Sequence, residues 1–311
     1  MPLKSQLHTD QLLSNVSIKY KNDSYIAQEM LPQVPVKKDS DLYRIFDRNF
    51  RLPETIRSSK GVAREASFDV TTGQYILVQH SLKDYVSDRD AENYDISDLR
   101  ADTTEFLTDK ILLRLENDVA NLFVNQTSTG NTNASWSLKH SLSAAQQWSL
   151  DSVTSNPIPQ MDTAATVILE NSGKVANYAM VPHRCLIAAK NHSSVIDRIK
   201  YTSADITPAM IAGLFDVPQL LVGKAVIETT EEGATTTSIS AIWGDNVFVG
   251  YKPAKASPLA PSAGYIFMNN IPMTKRWRVE ERQSEAIEVN LHFQAKVVAS
   301  LCGYLLQDVL A

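Results

Sequence analysis

The sequence predicts an α+β protein of about two domains, since one domain typically holds about 150 residues and this chain has 311. Three observations support that class. Residues 98–125 carry a long apolar stripe at helical spacing, residues 67–86 show the period of two expected for a strand, and residues 287–293 alternate apolar with polar side chains as a half-buried strand does. Apolar residues make up 43% of the chain, which allows it to bury a substantial core.

Residues 1–40 show no sustained helical or strand period and are rich in Asn, Ser, Asp and Lys. Such a stretch cannot bury enough of itself to fold alone, so we expect it either to be disordered or to lie across another surface. One helical turn is predicted at residues 25–31. Residues 1–60 contain ten Lys/Arg against seven Asp/Glu, whereas the remainder contains 20 against 28. This asymmetry fits contact with an acidic surface on a neighbouring copy, and ordinary scatter of surface charge explains it equally well.

Residues 41–90 read as two long strands, 41–52 and 67–86, joined by a polar tip at 54–66. Even positions of the second strand are apolar, which is the period of two expected for a strand, namely Phe68, Val70, Ile76, Val78 and Leu82. Gly73 in its middle suggests a bulge or bend. Because a two-stranded hairpin is marginally stable by itself, we expect a surface outside the subunit to support it.

The clearest predicted element is a helix over residues 98–125, about 42 Å long at 1.5 Å per residue. Its core-facing side chains recur at steps of three and four, namely Leu107, Ile111, Leu115, Val119 and Leu122. Ser97 is the predicted N-cap. Asp98 and Asp102 would lie in the first turn, where the helix dipole favours negative charge.

Residues 135–260 are predicted to form a compact mixed domain. A helix is expected at 159–171, closed by Gly173, and another opens after the N-cap Thr207 with Pro208 in its first position. The remaining predicted elements are a strand at 178–188, a short helix at 193–201, and strands at 217–229 and 238–251. Residues 262–311 return to sheet, with residues 287–293 as a half-buried strand followed by one or two more strands at 297–309.

Motifs that would indicate catalysis are absent from the sequence. It contains neither the phosphate-binding Gly-x-x-x-x-Gly-Lys-Ser/Thr loop nor the Gly-x-Ser-x-Gly elbow of serine hydrolases. A zinc site needs three or four ligands at matched geometry. His183 and Cys185 would share one face of the predicted strand, with His192 nearby, but no fourth partner is evident. We therefore predict no catalytic residues, no metal site and no cofactor, and interpret Cys185 and Cys302 as buried free thiols of a reducing compartment.

Net charge limits the partners that can be expected. Proteins that wrap duplex DNA are markedly basic because they neutralise phosphates, whereas this chain has a formal charge of −5. Lining a space that holds DNA remains compatible with that charge. The sequence also shows no signal peptide and no apolar run of 18 residues, so we expect neither secretion nor a membrane span.

Five segments resemble parts of the major capsid proteins of tailed bacteriophages, which have the Hong Kong 97-type fold, and the order of the predicted elements matches that family over nearly the whole chain. The segments are Asp216-Val-Pro-Gln-Leu-Leu-Val-Gly-Lys-Ala, Ile242-Trp-Gly-Asp-Asn-Val-Phe-Val-Gly-Tyr, Lys275-Arg-Trp-Arg-Val-Glu-Glu-Arg, Ile287-Glu-Val-Asn-Leu-His-Phe and Gly303-Tyr-Leu-Leu-Gln-Asp-Val-Leu. Their order and spacing together carry the resemblance.

The resemblance implies an arm at 1–40, an extended hairpin loop at 41–94, and an axial domain at 135–261. Residues 95–134, with the spine helix, and residues 262–311 would form the peripheral domain. The expected function is a shell of hexamers and pentamers, the icosahedral head that encloses a double-stranded DNA genome without sequence-specific binding. Hairpin contacts between subunits are assigned to charged residues that would set register more than affinity. They are Arg44, Arg48, Arg51, Arg57, Lys60 and Arg64.

The resemblance implies most of the family's partners for this chain, but not the family's covalent cross-link. The resemblance implies a separate scaffolding protein or none, a portal and possible decoration proteins, and a virion component assembled in the bacterial cytoplasm. Some relatives cross-link subunits through a hairpin lysine. Lys60 lies at the corresponding tip, but no matching asparagine or glutamate can be assigned, so an ordinary solvated lysine is expected.

Three alternatives remain open from the sequence. An encapsulin-type compartment would keep the fold and enclose a cargo enzyme. An α/β enzyme whose site lacks a short motif would form a small oligomer with a ligand pocket. Another phage part, such as a tail or head-decoration protein, fits less well, because those proteins are usually smaller and more purely β.

Overall fold

The protein is described here by a computed structural model. It describes residues 25–46, 70–94, 98–124, 136–150, 154–200, 206–230, 238–257, 260–269 and 273–310, with a few more between 52 and 65. In chain order the elements are α1 (Ala27–Met30), β1 (Gln33–Pro35), β2 (Ser40–Phe46), β3 (Val70–Ile76), β4 (Val78–Ser87), α2 (Asp88–Glu92), α3 (Leu99–Phe123), β5 (Lys139–Ser141), α4 (Pro157–Ser172), β6 (Tyr178–Pro182), α5 (His183–Asn191), α6 (Ser193–Ile199), α7 (Pro208–Leu214), β7 (Gln219–Gly223), β8 (Val226–Glu228), β9 (Ile239–Ala241), β10 (Val247–Gly250), β11 (Gly264–Met268), β12 (Met273–Val279), β13 (Ser284–Val297) and β14 (Gly303–Gln307).

The first sheet is built around β13, which is 14 residues long. One edge of β13 pairs antiparallel with β4, and its other edge pairs with β12 and then with β11. β1 extends the sheet by pairing parallel with β11. The predicted alternation is confirmed, because Ile287, Val289, Leu291 and Phe293 are buried in one cluster with α3. Helix α3 therefore covers one face of this sheet.

Helix α3 confirms the predicted long helix with slightly different ends. It runs for 25 residues, about 37 Å. Asp98 is the N-cap, because its Oδ1 accepts a hydrogen bond from the backbone N–H of Arg100 at 3.0 Å. The prediction of Asp98 inside the first turn was thus wrong by one position, and Ser97 lies outside the described residues.

The second sheet has the strand order β5-β14-β10-β6-β7. Helices α4 to α7 pack on one face of it, and that interface forms its own core. Two helix boundaries are confirmed. Gly173 ends α4 in the left-handed conformation at φ 65°, and the Thr207 hydroxyl accepts from the Met210 N–H to cap α7.

The C-terminal strand crosses from the first sheet to the second. Residues 262–311 were expected to stay together, but β14 pairs with β10 and β5 instead of with β11 or β13. The chain leaves β13 at Val297, makes one short turn at Ser300–Cys302 and enters the other sheet. The sequence predicts a strand at this position, but local sequence holds no information on which sheet supplies the partner.

The predicted second hairpin strand, 67–86, is two strands that belong to different sheets. β3 pairs with β2, whereas β4 pairs with β13, and the change occurs at Leu77. Gly73 makes no bulge, because the register between β2 and β3 is continuous. A Cβ at Gly73 would lie 2.5 Å from Cζ of Tyr43, so the glycine makes room for the ring of its cross-strand partner.

Three other predicted strands are shorter than expected. The strand from Tyr178 ends at Pro182, and α5 follows because Cys185, Leu186 and Ala189 recur at helical spacing and are buried. His183 and Cys185 therefore do not share a strand face, since His183 is exposed. The predicted strand 217–229 divides into β7 and β8, and 238–251 divides into β9 and β10.

An ion-pair network joins α2 and α3 to the first sheet. Arg278 on β12 binds Asp88 through two bonds, Nη1–Oδ1 at 2.5 Å and Nη2–Oδ2 at 2.7 Å. Arg100 on α3 donates to Glu285 Oε2 at 2.6 Å. The bond from Arg278 lowers the pKa of Asp88 below its usual 3.8. Such paired, planar contacts fix the end of β12 against the start of α2.

The Asp88–Arg278 pair should make stability depend on pH. The pKa of Asp88 is lower in the folded than in the unfolded chain, so the pair stabilises the fold above about pH 4 and its contribution is lost as pH falls through the folded pKa. We expect Arg278→Gln to lower the urea midpoint at pH 7, with the difference from wild type shrinking below about pH 4. Arg184→Gln, at an exposed helical arginine, is the control. A difference that is constant with pH would contradict the assignment.

Candidate functional site

The β2–β3 hairpin has one face on the protein and one face in solvent. On the inner face, Tyr43 and Tyr75 pack on Phe267 of β11, with ring centroids 5.4 and 4.6 Å apart. On the outer face, Leu42 is 63% exposed and Ile76 is 53% exposed. The aromatic face attaches the base of the hairpin to the first sheet, and the aliphatic face is left without cover in the single chain.

Beyond the strands, the hairpin tip carries aliphatic side chains that are almost fully exposed. Leu52 and Val62 are each 93% exposed, and Ile56 is 84% exposed. Arg57 Nε donates a hydrogen bond to the Gly61 carbonyl at 2.5 Å, which ties one side of the tip to the other. A series of exposed apolar groups along one projection is typical of a contact surface.

Two of the six charged residues assigned to hairpin contacts, Arg44 and Arg57, lie within the described residues. Arg44 lies on β2 opposite Thr72. The side chain of Arg57 is exposed and makes the bond to Gly61. The other four lie outside the described residues, namely Arg48, Arg51, Lys60 and Arg64. The role of these charges in contacts between subunits therefore stays a prediction.

The apolar stripe predicted for α3 faces the core that this helix forms with the two sheets. Leu107, Ile111, Leu115 and Val119 are buried, and Leu122 is half-buried against the same cluster. The sequence did not single out the residue beside Leu115. Glu116 is fully buried on the same helix, and a charged residue one step from an apolar stripe was the only sequence signal for it.

Glu116 joins three separate parts of the chain. Its Oε1 accepts from the backbone N–H of Ile26 at 3.0 Å and from Trp243 Nε1 at 2.7 Å, and its Oε2 accepts from the N–H of Ala27 at 2.8 Å. Burial raises the pKa of Glu116, while these donors act in the opposite direction. No cation pairs with this carboxylate among the described residues, so neutral N–H donors balance its buried charge.

The C-terminal end of α3 is capped by side chains from elsewhere in the chain. Trp136 Nε1 donates to the Phe123 carbonyl at 2.8 Å, and Asn246 Nδ2 donates to the Val124 carbonyl at 2.9 Å. Asn246 also accepts from the Asp308 N–H at 3.0 Å. The motif at 242–251 thus has a structural role, because its Trp243 and Asn246 both bind α3.

The other candidates for chemistry do not converge. In the described part of the chain, no group of three His, Cys, Asp or Glu side chains could hold a metal ion. Cys185 and Cys302 are buried free thiols, and burial raises the pKa of both. Trp136, Trp148 and Trp243 belong to the cores, and only Trp277 among the four is largely exposed.

One cavity, of about 360 Å³, lies at the second sheet between β14 and α4, and the ionisable side chains in its lining are His140 and Tyr304. No carboxylate lies beside them in that lining. Among the described helices, none is both long and apolar enough to cross a membrane.

The comparisons with known proteins point to one class. No protein-family model matches the sequence. A relative named major capsid protein from Burkholderia phage BcepMu is 25% identical over 308 residues, which cover 96% of this chain and 96% of the relative. Another of the same name from Pseudomonas phage JBD67 is 28% identical over 250 residues, covering 78% of this chain and 77% of the relative.

Solved structures share the whole architecture. A phage-related protein from Bordetella bronchiseptica matches with a TM-score of 0.72 at 25% identity, covering 96% of this chain and 97% of its own. The capsid of cyanophage P-SCSP1u has a TM-score of 0.61 at 11% identity, covering 93% and 89%. An encapsulin from Synechococcus elongatus has 0.52 at 10% identity, covering 96% and 95%. The last two likenesses show the fold alone.

The fold and the sequence relatives together favour one of the alternatives. Both phage heads and encapsulin shells use this architecture, so the fold by itself does not separate them. The relatives detected by sequence are both phage major capsid proteins, and they are named for a structural role. The chain has the Hong Kong 97-type capsid fold and, over 96% of its length, is similar in sequence to a phage major capsid protein.

Proposed function

We propose that the chain assembles as hexamers and pentamers into an icosahedral head that encloses double-stranded DNA, and that the hairpin tip contacts a neighbouring copy. The exposure of Leu52, Ile56 and Val62 carries the proposal for the tip. Covering three aliphatic side chains contributes about 1.5–3 kcal/mol each before ordering costs. Repeated symmetric contacts of that size close a shell even when each contact is weak.

The parts of the chain receive roles in this proposal. Residues 1–40 act as an arm and 41–94 as the extended hairpin loop. The other strands of the first sheet, β11 to β13, form the peripheral domain with α3, and residues 135–261 form the axial domain around ring centres. The pairing of β14 with β10 supports moving residues 303–310 from the peripheral to the axial domain.

The expected partners follow from the same role. They are further copies of this chain, a portal, a separate scaffolding protein and possible decoration proteins, in a head assembled in the bacterial cytoplasm. A formal charge of −5 favours a lining that holds DNA without gripping it. Catalysis, cofactors and sequence-specific DNA binding are not part of the proposal.

Electron microscopy of the expressed protein, with a sizing column beside it, tests this function. We expect closed polyhedral shells or open sheets of six-fold rings, with added scaffold if the subunit alone stays dispersed. The shell diameter and contents then separate a phage head from a cargo compartment. A small oligomer that never assembles, even with scaffold, would overturn the proposal.

The tip contact has its own prediction. Replacing Leu52, Ile56 and Val62 together with serine should raise the protein concentration needed for assembly at least about tenfold, since each tenfold change corresponds to about 1.4 kcal/mol. The unfolding curve of the subunit should stay unchanged, because these side chains are exposed. A matched control replaces three exposed aliphatic residues outside the hairpin, Leu150, Leu169 and Ile187. Equal loss in both variants would contradict a specific role of the tip.

A further inference from the structure

The N-terminal segment 25–31 is held on α3 by a small set of contacts around Glu116. Ile26, Ala27, Met30 and Leu31 are buried in the main core. Tyr25 Oη donates to Asp109 Oδ1 at 2.9 Å. Lys252 Nζ donates to the Glu29 carbonyl. The segment is therefore packed as part of the core, although α1 itself is a single turn of four residues.

The Glu116 carboxylate accepts hydrogen bonds from two separate structural units at once, the N-terminal segment 25–31 and the turn that holds Trp243. The N–H groups of Ile26 and Ala27 belong to the N-terminal segment, whereas the indole of Trp243 belongs to the turn between β9 and β10. Ile26 and Trp243 even share Oε1. If either the segment or the turn moves away, the Glu116 carboxylate is left buried with fewer hydrogen-bond donors, which is costly in a low-dielectric core.

The surroundings of Glu116 also provide room for the opened state. A cavity of about 470 Å³ lies between residues 25–29, α3 and β7, and Glu116 is among its lining residues. Several water molecules fit in that volume, so the carboxylate can be hydrated when segment 25–31 lifts. Water there replaces only part of the lost N–H donors, so the segment can detach, but its detachment still leaves the carboxylate less well solvated.

We propose that Glu116 is a conformational lock that couples docking of segment 25–31 to seating of the Trp243 turn, so that the two units close and open together. Such a coupling is reciprocal, because docking of the segment favours seating of the turn by the same free energy by which seating of the turn favours docking of the segment. The lock belongs to the single subunit, so it does not depend on the proposed assembly.

Hydrogen–deuterium exchange of the full chain tests the coupling at two peptides, 25–31 and 239–250. Trp243→Phe removes the indole donor, and we expect exchange in 25–31 to quicken several-fold although the substitution lies elsewhere. Tyr25→Phe removes the bond to Asp109, and we expect exchange in 239–250 to quicken in return. Effects confined to the altered side in both variants would overturn the proposal.

Glu116→Gln should have the largest effect, because the amide group turns a donor toward N–H groups that need an acceptor. We expect exchange to quicken about tenfold or more in both peptides, as for loss of hydrogen bonds to a charged group. Glu170→Gln makes the same change at an exposed helical position and should leave both peptides unaltered. Unchanged protection in Glu116→Gln would also overturn the lock. If that variant does not fold, the Trp243 and Tyr25 variants decide the question.

Discussion

Trp136→Ala is expected to destabilise the subunit by about 3–5 kcal/mol, the range for truncating a large buried aromatic residue. The Trp136 ring is buried between Phe123 and Phe248, with centroids 5.2 and 4.6 Å away. Its indole N–H also caps the Phe123 carbonyl at the end of α3. The substitution would therefore open a cavity where the helix meets the second sheet and leave a carbonyl without its donor.

Chemical denaturation of the unassembled subunit measures this effect. Trp277→Ala is the matched control, because Trp277 is 40% exposed on β12, and it should cost about 1 kcal/mol or less. Trp136→Phe should fall between the two, since it keeps most of the ring and loses the N–H. If Trp136→Ala costs no more than Trp277→Ala, the contact between α3 and the second sheet contributes little.

Gly264→Ala is expected to destabilise by about 2–3 kcal/mol through overpacking. A Cβ at Gly264 would collide with Cζ of Phe123 and would lie 2.6 Å from the backbone oxygen of Lys296. The backbone oxygen cannot move without breaking the pairing of β11 with β13. The glycine is thus required by the close approach of α3 to the sheet.

Gly213→Ala provides an internal contrast for the same substitution. A Cβ at Gly213, on helix α7, meets no atom within 4 Å. Alanine there should stabilise by up to about 1 kcal/mol, because glycine is a poor helix former. Opposite signs in thermal or urea denaturation would support the packing argument, and two changes of the same sign would contradict it.

The order of the elements could be predicted because it depends on local patterns. The stripe Leu107, Ile111, Leu115 and Val119 requires a helix in order to face one core, and the alternation at 287–293 requires a strand. Gly173 and the pair Thr207-Pro208 set helix ends through backbone chemistry alone. These features act over a few residues, so the sequence contains them completely.

Pairing between distant segments could not be predicted in the same way. The break at Leu77 sends β3 and β4 to different sheets, although the alternation of apolar residues continues through it. The role of Glu116 depends on partners that lie 89 residues or more away in the chain. The role of Gly264 depends on helix α3, whose Phe123 lies against it. A pattern of period two predicts a strand with one apolar face, but not what covers that face, and in the single subunit Ile76, Val78 and Leu82 are exposed.

The sequence by itself determined the class of the fold, the long helix and the resemblance to phage capsid proteins, because periodicity and the order of segments are properties of the chain. Only the tertiary structure decided that β14 joins the second sheet, that the hairpin tip exposes Leu52, Ile56 and Val62, and that Glu116 holds segment 25–31. The pairing of β14 and the bonds of Glu116 depend on the burial of groups far apart in the chain, and that free energy exists only once they meet. The exposure of the tip depends equally on which surfaces the fold leaves uncovered.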